Sequence, residues 1–352
     1  MIRLLLCCLV CFTGARASMV ERPLGDAAKA FAEKLPAGCI VTGEWSGGEV
    51  FFAVAGNAEP ADIPAERRVF EIGSISKVFT GLLLSEALLA KKVRLDSTLK
   101  ELLGGERAFA DPRVGEITLL QLATHTSGLP RLPSNMGWLN GLSKDPYKNY
   151  SRKNMLDFLA KARLDGPAPY PASYSNFGVG LLGELLAGVE GTTWEALVEK
   201  KITGPLGMKD TMAQPGAEQA ARLAPPYDGG KPARSWTFQA MAGAGALRST
   251  AADLILFGKA LLTPDETPLG AAIKGMMEVR ASHPDMGADI GLGIFIGTID
   301  GRREYFHSGG TGGYRSMLQV IPERKLVRVV LVNNGEAATE DVIAATREET
   351  KR

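Results

Sequence analysis

The sequence predicts an α/β (α+β) fold: one antiparallel sheet built from both termini, flanked by helices, with a mostly helical region inserted between its halves. Two observations carry this. Strand-like stretches cluster near the ends of the chain, at 40–55 and again at 293–332, while helical periodicity dominates from Ser74 to about Gly270. Strands separated in this way bury their apolar faces by pairing with each other, and the terminal helices then pack on the sheet they form.

In chain order, Gly25 to Leu35 reads as a short helix. Ile40 to Trp45 and Glu49 to Ala55 read as two strands joined by a Ser46-Gly47-Gly48 turn. A helix follows Ser74 and is apolar nearly all round (Val78, Phe79, Leu82, Leu83, Leu84, Ala87, Leu88), as a buried helix must be. Pro/Gly-rich loops interrupt the helical part at Thr126 to Trp138 and at Gly166 to Pro171, and an apolar helix begins near Val179. Strands return at Gly293 to Thr298, Arg303 to His307, Tyr314 to Ile321 and Leu326 to Val332, before an amphipathic helix over Ala337 to Thr350. One catalytic unit is expected over 18–352, with its α/β part at about 18–90 and 240–352 and its helical part at about 91–239.

The composition is that of an ordinary globular chain of 352 residues, 45% hydrophobic and 22% charged, with a formal charge of +1. That balance, without basic clusters or acidic tails, argues against nucleic-acid and anionic-membrane partners. Residues 1–17 read as an export signal: basic Arg3, an apolar run from Leu4 to Phe12, and a small-x-small site at Ala15-Arg16-Ala17. Three of the four cysteines leave with it, and Cys39, without a partner, reads as a buried small hydrophobe. No later run is long and apolar enough to span a bilayer. The expectation is a periplasmic monomer.

Gly73-Ser74-Ile75-Ser76-Lys77 places a hydroxyl and an amine three residues apart, on one face of a helix start. A lysine desolvated there loses proton affinity and can activate the serine, while the helix N-terminus favours an oxyanion. Ser97-Thr98-Leu99-Lys100 matches the same pattern, but Asp96 reads as a helix N-cap with Thr98 and Glu101 as a capping box, so Ser74 is the expected nucleophile. Tyr174 and Asn176 project to the same side of a turn and can give a proton relay and an amide hydrogen-bonding group. Tyr147-Lys148-Asn149 repeats the spacing within a polar run and reads as a solvated loop. At His307-Ser308-Gly309-Gly310, small residues let a substrate approach a strand edge; His307 itself is either a substrate contact or a satisfied strand residue. The three histidines, His125, His283 and His307, are too scattered in sequence to suggest a metal site, and no cofactor is expected.

Ser-x-x-Lys, Tyr-Ser-Asn and His-Ser-Gly, in this order, resemble the serine β-lactamase and penicillin-binding-protein superfamily. The branch is that of class C β-lactamases and similar D-alanyl-D-alanine carboxypeptidases. Phe70 to Lys77, Ile117 to Pro130, Pro205-Leu206-Gly207-Met208 and Gly245 to Thr250 extend the resemblance over most of the chain from Cys39 to Asn334. It implies that Ser74 attacks the carbonyl of a β-lactam or D-Ala-D-Ala amide, with Lys77 and Tyr174 sharing proton transfer. Asn176 would hold the substrate's side-chain amide or Lys77, and the N–H groups of Ser74 and Gly310 would form the oxyanion hole. His307 stands where class C enzymes usually carry lysine, and Leu132 where they often carry glutamine. The expected function is an exported β-lactamase, with a D-alanyl-D-alanine carboxypeptidase, endopeptidase or esterase as the alternative. A non-turnover penicillin-binding protein is the remote one.

Overall fold

The computed structural model describes residues 23–104, 108–136 and 144–348. The export signal expected at 1–17 and the end of the loop expected at Trp138 lie outside them. The architecture is the expected one, a large antiparallel sheet with helices on both faces. Helix α1 (Pro23–Ala32) precedes strands β1 (Cys39–Ser46) and β2 (Glu49–Gly56). Helices α2 (Ser76–Leu89), α3 (Asn176–Glu190) and α4 (Ala251–Leu262) are the longer ones of the middle region that bear on the site. Strands β3 (Ala281–His283), β4 (Ala288–Ile290), β5 (Phe295–Ile299), β6 (Arg302–Gly310), β7 (Arg315–Ile321) and β8 (Leu326–Val332) follow, then helix α5 (Thr339–Glu348). The order across the sheet is β2-β1-β8-β7-β6-β5-β4-β3.

The two ends of the chain meet where β1 pairs with β8, Ile40 opposite Val332 and Ser46 opposite Leu326. Strand β8 is buried on both faces, which its run Leu-Val-Arg-Val-Val-Leu-Val reflects. Val330 and Val332 pack with Met317 and Ile40 under Leu24, Val342 and Ile343 of the terminal helices. Val327, Val329 and Leu331 join the larger core with Phe257 and Phe79, whose rings stack at 4.3 Å. Arg328, inside this apolar strand, donates to Glu44 at 2.8 Å and to the Thr346 hydroxyl at 2.8 Å, so its charge is compensated where it is buried.

Three expectations need correction. The sheet gains β3 and β4, three residues each, whose Ser, His and Asp content hides them from pattern reading. Strand β6 runs on to Gly310 instead of stopping at His307, because Gly309 and Gly310 pair with Ser316 and Arg315 of β7. The N-cap near Ser97 is Thr98, not Asp96: Thr98 and Glu101 bond reciprocally, and Asp96 accepts from Arg94 at 2.8 Å. Ser97 is buried and accepts the Arg94 N–H, while Lys100 is exposed, so this second Ser-x-x-Lys pair is structural.

Candidate active site

Ser74 lies in a tight turn, Gly73–Ile75, that leads directly into α2. Just before it, Phe70 and Glu71 pair with Ser249 and Arg248, tying the turn to the segment ahead of α4. The end of β6 crosses against this turn so closely that side chains are excluded. A Cβ on Gly73, whose φ is +48°, would lie 2.7 Å from the Gly310 nitrogen, and one on Gly309 would run into the Ile72 carbonyl oxygen. That carbonyl also accepts the Ser316 hydroxyl at 2.8 Å. Glycine at both positions therefore brings the Gly310 backbone N–H beside Ser74.

Lys77, in the first turn of α2, is fully buried. Its Nζ donates to Ser74 Oγ at 2.9 Å and to the Ala244 carbonyl at 2.6 Å. Burial, and secondarily the charge of Arg131, holds the amine well below its usual basicity. The Tyr174 hydroxyl faces Ser74 from the other side, near enough for the serine to favour its ionised form. Burial pushes this phenol above its ordinary value, and the nearby Ser74 hydroxyl and Arg131 charge oppose the rise. Two nitrogen groups flank its ring, the Lys77 amine at 4.9 Å and the Arg131 guanidinium at 5.0 Å from the centroid. A serine oxygen is thus held between a buried amine and a buried phenol.

The three histidines, distant in sequence, come together behind Tyr174 around Phe295. Ring centroids are 6.0 Å apart for His125 and His283, and 5.6 Å and 5.2 Å from Phe295 to His283 and His307. This corrects the expectation that they are scattered; even so, among the described residues no group of three or more candidate ligands is placed to hold a metal. His125 takes an uncommon φ of +60° and holds the backbone on both sides of Tyr174. Its carbonyl accepts the Ser173 N–H at 2.8 Å and its Nδ1 accepts the Ser175 N–H at 3.1 Å. His307 bonds through Nδ1 to the Ser308 carbonyl at 2.6 Å, so that nitrogen carries the proton. Burial, with the nearby Lys77 charge, depresses the imidazole to about 3, against the weaker pull of that carbonyl. It is neutral at physiological pH.

Asn176 opens α3, whose N-cap Ser175 accepts the Gly178 N–H at 2.9 Å. Its amide donates to the Tyr147 hydroxyl at 3.2 Å and not to Lys77, and its Oδ1 is buried without a partner. Tyr147 is therefore no solvated loop residue. It is 4% exposed and stacks on Phe238 at 4.4 Å, with Trp236 at 5.4 Å. Tyr147, Arg131, Trp236, His125 and Arg315 were all missed as site residues; only the Tyr147-x-Asn149 spacing gave a signal, and the polar run around it pointed the wrong way. The open cleft, of about 670 Å³, is lined by Ser74, Tyr174, Asn176, His307, Ser308, Gly309 and Gly310, with Arg131, Tyr147, Trp236 and Arg315 on its walls. A second concavity of equal volume, around Glu195 to Gln219, contains none of these residues.

A family model described as Beta-lactamase matches residues 33–350. The chain belongs to that family. It is 28% identical over 281 residues to D-alanyl-D-alanine-carboxypeptidase/endopeptidase AmpH of Escherichia coli (strain K12), covering 76% of this chain and 71% of the relative. It is also 28% identical over 289 residues to penicillin-binding protein 4 of Amycolatopsis lactamdurans, covering 77% and 74%. Among solved structures it resembles a class C beta lactamase from Rhodobacter sphaeroides, with a TM-score of 0.78, 23% identity and coverage of 94% of this chain and 100% of that one.

Proposed function

We propose that this hydrolase of the Beta-lactamase family opens the β-lactam amide through a Ser74 acyl-enzyme, as an exported, periplasmic monomer. The observation that carries the reading is the buried Lys77 amine 2.9 Å from Ser74 Oγ. An amine depressed by burial accepts the serine proton as Oγ attacks the carbonyl carbon. Tyr174, a neutral phenol, passes a proton to the departing nitrogen and is reloaded with the proton that Lys77 took from Ser74. The N–H groups of Ser74 and Gly310 receive the oxyanion, and the close crossing at Gly73 keeps them together. Water then attacks the ester, its proton goes to the Lys77–Tyr174 pair, and Ser74 leaves as the alcohol. Asn176 contributes an unpaired amide oxygen for an N–H of the substrate's side chain.

One observation favours a second reading, a D-alanyl-D-alanine peptidase. The third motif carries a neutral His307 where the lysine of class C enzymes would carry charge, and the curated relatives include a carboxypeptidase/endopeptidase and a penicillin-binding protein. The test is to label the protein with a fluorescent penicillin, map the labelled peptide, and compare turnover of a chromogenic cephalosporin with that of a D-Ala-D-Ala peptide. Label on Ser74 with fast cephalosporin turnover supports the first reading. A Ser74 adduct that persists for hours, with peptide turnover, supports the second; label elsewhere overturns both.

A further inference from the structure

Lys77 is a fully buried amine, and among the described residues no carboxylate acts on it. The groups that face it are the Ser74 hydroxyl and the Ala244 carbonyl, the Tyr174 ring, the imidazoles of His125 and His307, and the Arg131 guanidinium. Both imidazoles are neutral, because burial holds each well below the ordinary histidine value. Arg131 therefore brings the permanent charge to this neighbourhood.

Arg131 follows Pro130 in a loop tied to the start of α3. Its carbonyl accepts the Phe177 N–H at 3.2 Å, and the Pro130 carbonyl accepts the Ser175 hydroxyl at 2.7 Å. Tyr174 and Asn176 belong to the same short stretch, so the backbone beneath Arg131 is fixed to the segment that carries the phenol. The guanidinium then reaches over the Tyr174 ring, 5.0 Å from its centroid, with the Lys77 amine 4.9 Å from the same centroid. A cation so placed is attracted by the ring face, and among the described residues no carboxylate pairs with it. Two groups this close to one ring lie within about 10 Å of each other, a range over which charges in a partly desolvated cleft still interact.

A fixed cation here disfavours a second cation at Lys77 and favours negative charge on the Tyr174 oxygen. Serine attack needs the Lys77 amine free of its proton, and passing the Tyr174 proton to the departing nitrogen leaves negative charge on the phenol oxygen. Both steps gain from the charge alone, without a hydrogen bond from Arg131. We propose that Arg131 sets the proton occupancy of the Ser74–Lys77–Tyr174 unit from outside it, keeping the Lys77 amine unprotonated in the resting enzyme and stabilising Tyr174 as it gives up its proton. This rests on the Ser74 acyl-enzyme reading and adds to it a positioning residue that acts by charge through Lys77 and Tyr174.

The test is the pH dependence of Ser74 acylation by the fluorescent penicillin, read by rapid quench for wild type, Arg131→Gln and Arg131→Lys. The penicillin carboxylate is ionised above about pH 5, so the acid limb there reports Lys77 of the free enzyme. Removing the cation lets Lys77 hold its proton to higher pH. The limb of Arg131→Gln should therefore lie about half a pH unit or more above that of wild type, and Arg131→Lys should stay near wild type. Arg131 is exposed, so its charge is open to screening. Raising salt from about 0.01 M to about 1 M shortens the screening length from about 30 Å to about 3 Å, and should move the wild-type limb up toward that of Arg131→Gln. Coincident limbs for wild type and Arg131→Gln overturn the proposal. So does Arg131→Lys behaving as Arg131→Gln, or a difference that salt leaves unchanged, because either would make Arg131 a packing residue. In each of these cases Ser74 is still labelled and the acyl-enzyme reading stands; no label on wild-type Ser74 overturns that reading and the proposal with it.

Discussion

A primary amine buried beside a serine hydroxyl and a phenol forms one proton-sharing unit, so its members are not independent. Lys77 touches Ser74 directly, and Tyr174 reaches the same oxygen while its ring faces the Lys77 amine. Removing either proton carrier, in Lys77→Met or Tyr174→Phe, should lower turnover of a cephalosporin by about 10²–10⁴-fold. The double variant should lose much less than the product of the two, because the second change acts on a unit already broken. Steady-state kinetics on the three variants check this, and strict multiplicativity would refute the coupling. The contact between Ser74 and Lys77 could be read from the sequence because three-residue spacing at a helix start is local geometry. The residues around them could not. Tyr147 meets Asn176 across 29 positions, and His125 holds Ser175 across 50. Their surroundings in sequence, a polar run for Tyr147 and a loop for His125, say nothing of the wall or brace they build.

Elements meet at the site through two devices that position backbone rather than side-chain chemistry. The first is the Glu71–Arg248 ion pair, 3.0 Å apart and buried, which joins the segment before Ser74 to the one before α4. Glu71 also accepts the Trp236 N–H at 2.8 Å, and Arg248 donates to the Trp236 carbonyl at 2.7 Å, so both ends of one cleft-wall residue are clamped. Arg248→Met leaves a buried carboxylate without its cation and should cost about 3–5 kcal/mol, read as a lowered midpoint in denaturant unfolding. Adding Glu71→Gln should recover part of that loss. The second device is the glycine crossing. Gly309→Ala would push β6 off the Ile72 carbonyl and separate Gly310 from Ser74. Acylation by penicillin should then slow by about 10²-fold or more, the scale of losing one oxyanion donor, while far-ultraviolet circular dichroism stays that of the wild type. Stopped-flow acylation rates decide it; a wild-type rate would mean the crossing is not needed. The strands that hold β6 in place were legible from their apolar and β-branched residues, most clearly in the Leu326 to Val332 run of β8. Strands β3 and β4 were not, since three-residue polar strands at a sheet edge gain their order from a neighbour already in place.

At the scale of the molecule, the cleft stacks neutral imidazoles behind its tyrosine, and this couples the site to acid stability. His125 and His307 are each held well below the ordinary histidine value by burial first and by the Lys77 charge second. In the unfolded chain both titrate near about 6.5. The folded state therefore binds fewer protons than the unfolded state below that pH. Stability is fully present above about 6.5 and is lost as pH falls toward the folded values, by up to about 1.4 kcal/mol per pH unit for each histidine. Asp253 works the other way: burial raises its carboxyl to about 6, so it favours the folded state as pH falls from there toward the ordinary carboxylate range. The wild-type slope is thus smaller than the two histidines alone would give. A comparison with His307→Gln removes that background, because every other group is common to both proteins. Denaturant unfolding at intervals between pH 7 and 4 should show the variant losing stability less steeply than the wild type, the difference approaching about 1.4 kcal/mol per unit below pH 6. The two should run parallel above pH 7, where neither state protonates the ring. Parallel curves throughout would mean that His307 takes up a proton in the folded protein as readily as in the unfolded chain, restoring the charge that the third motif otherwise lacks.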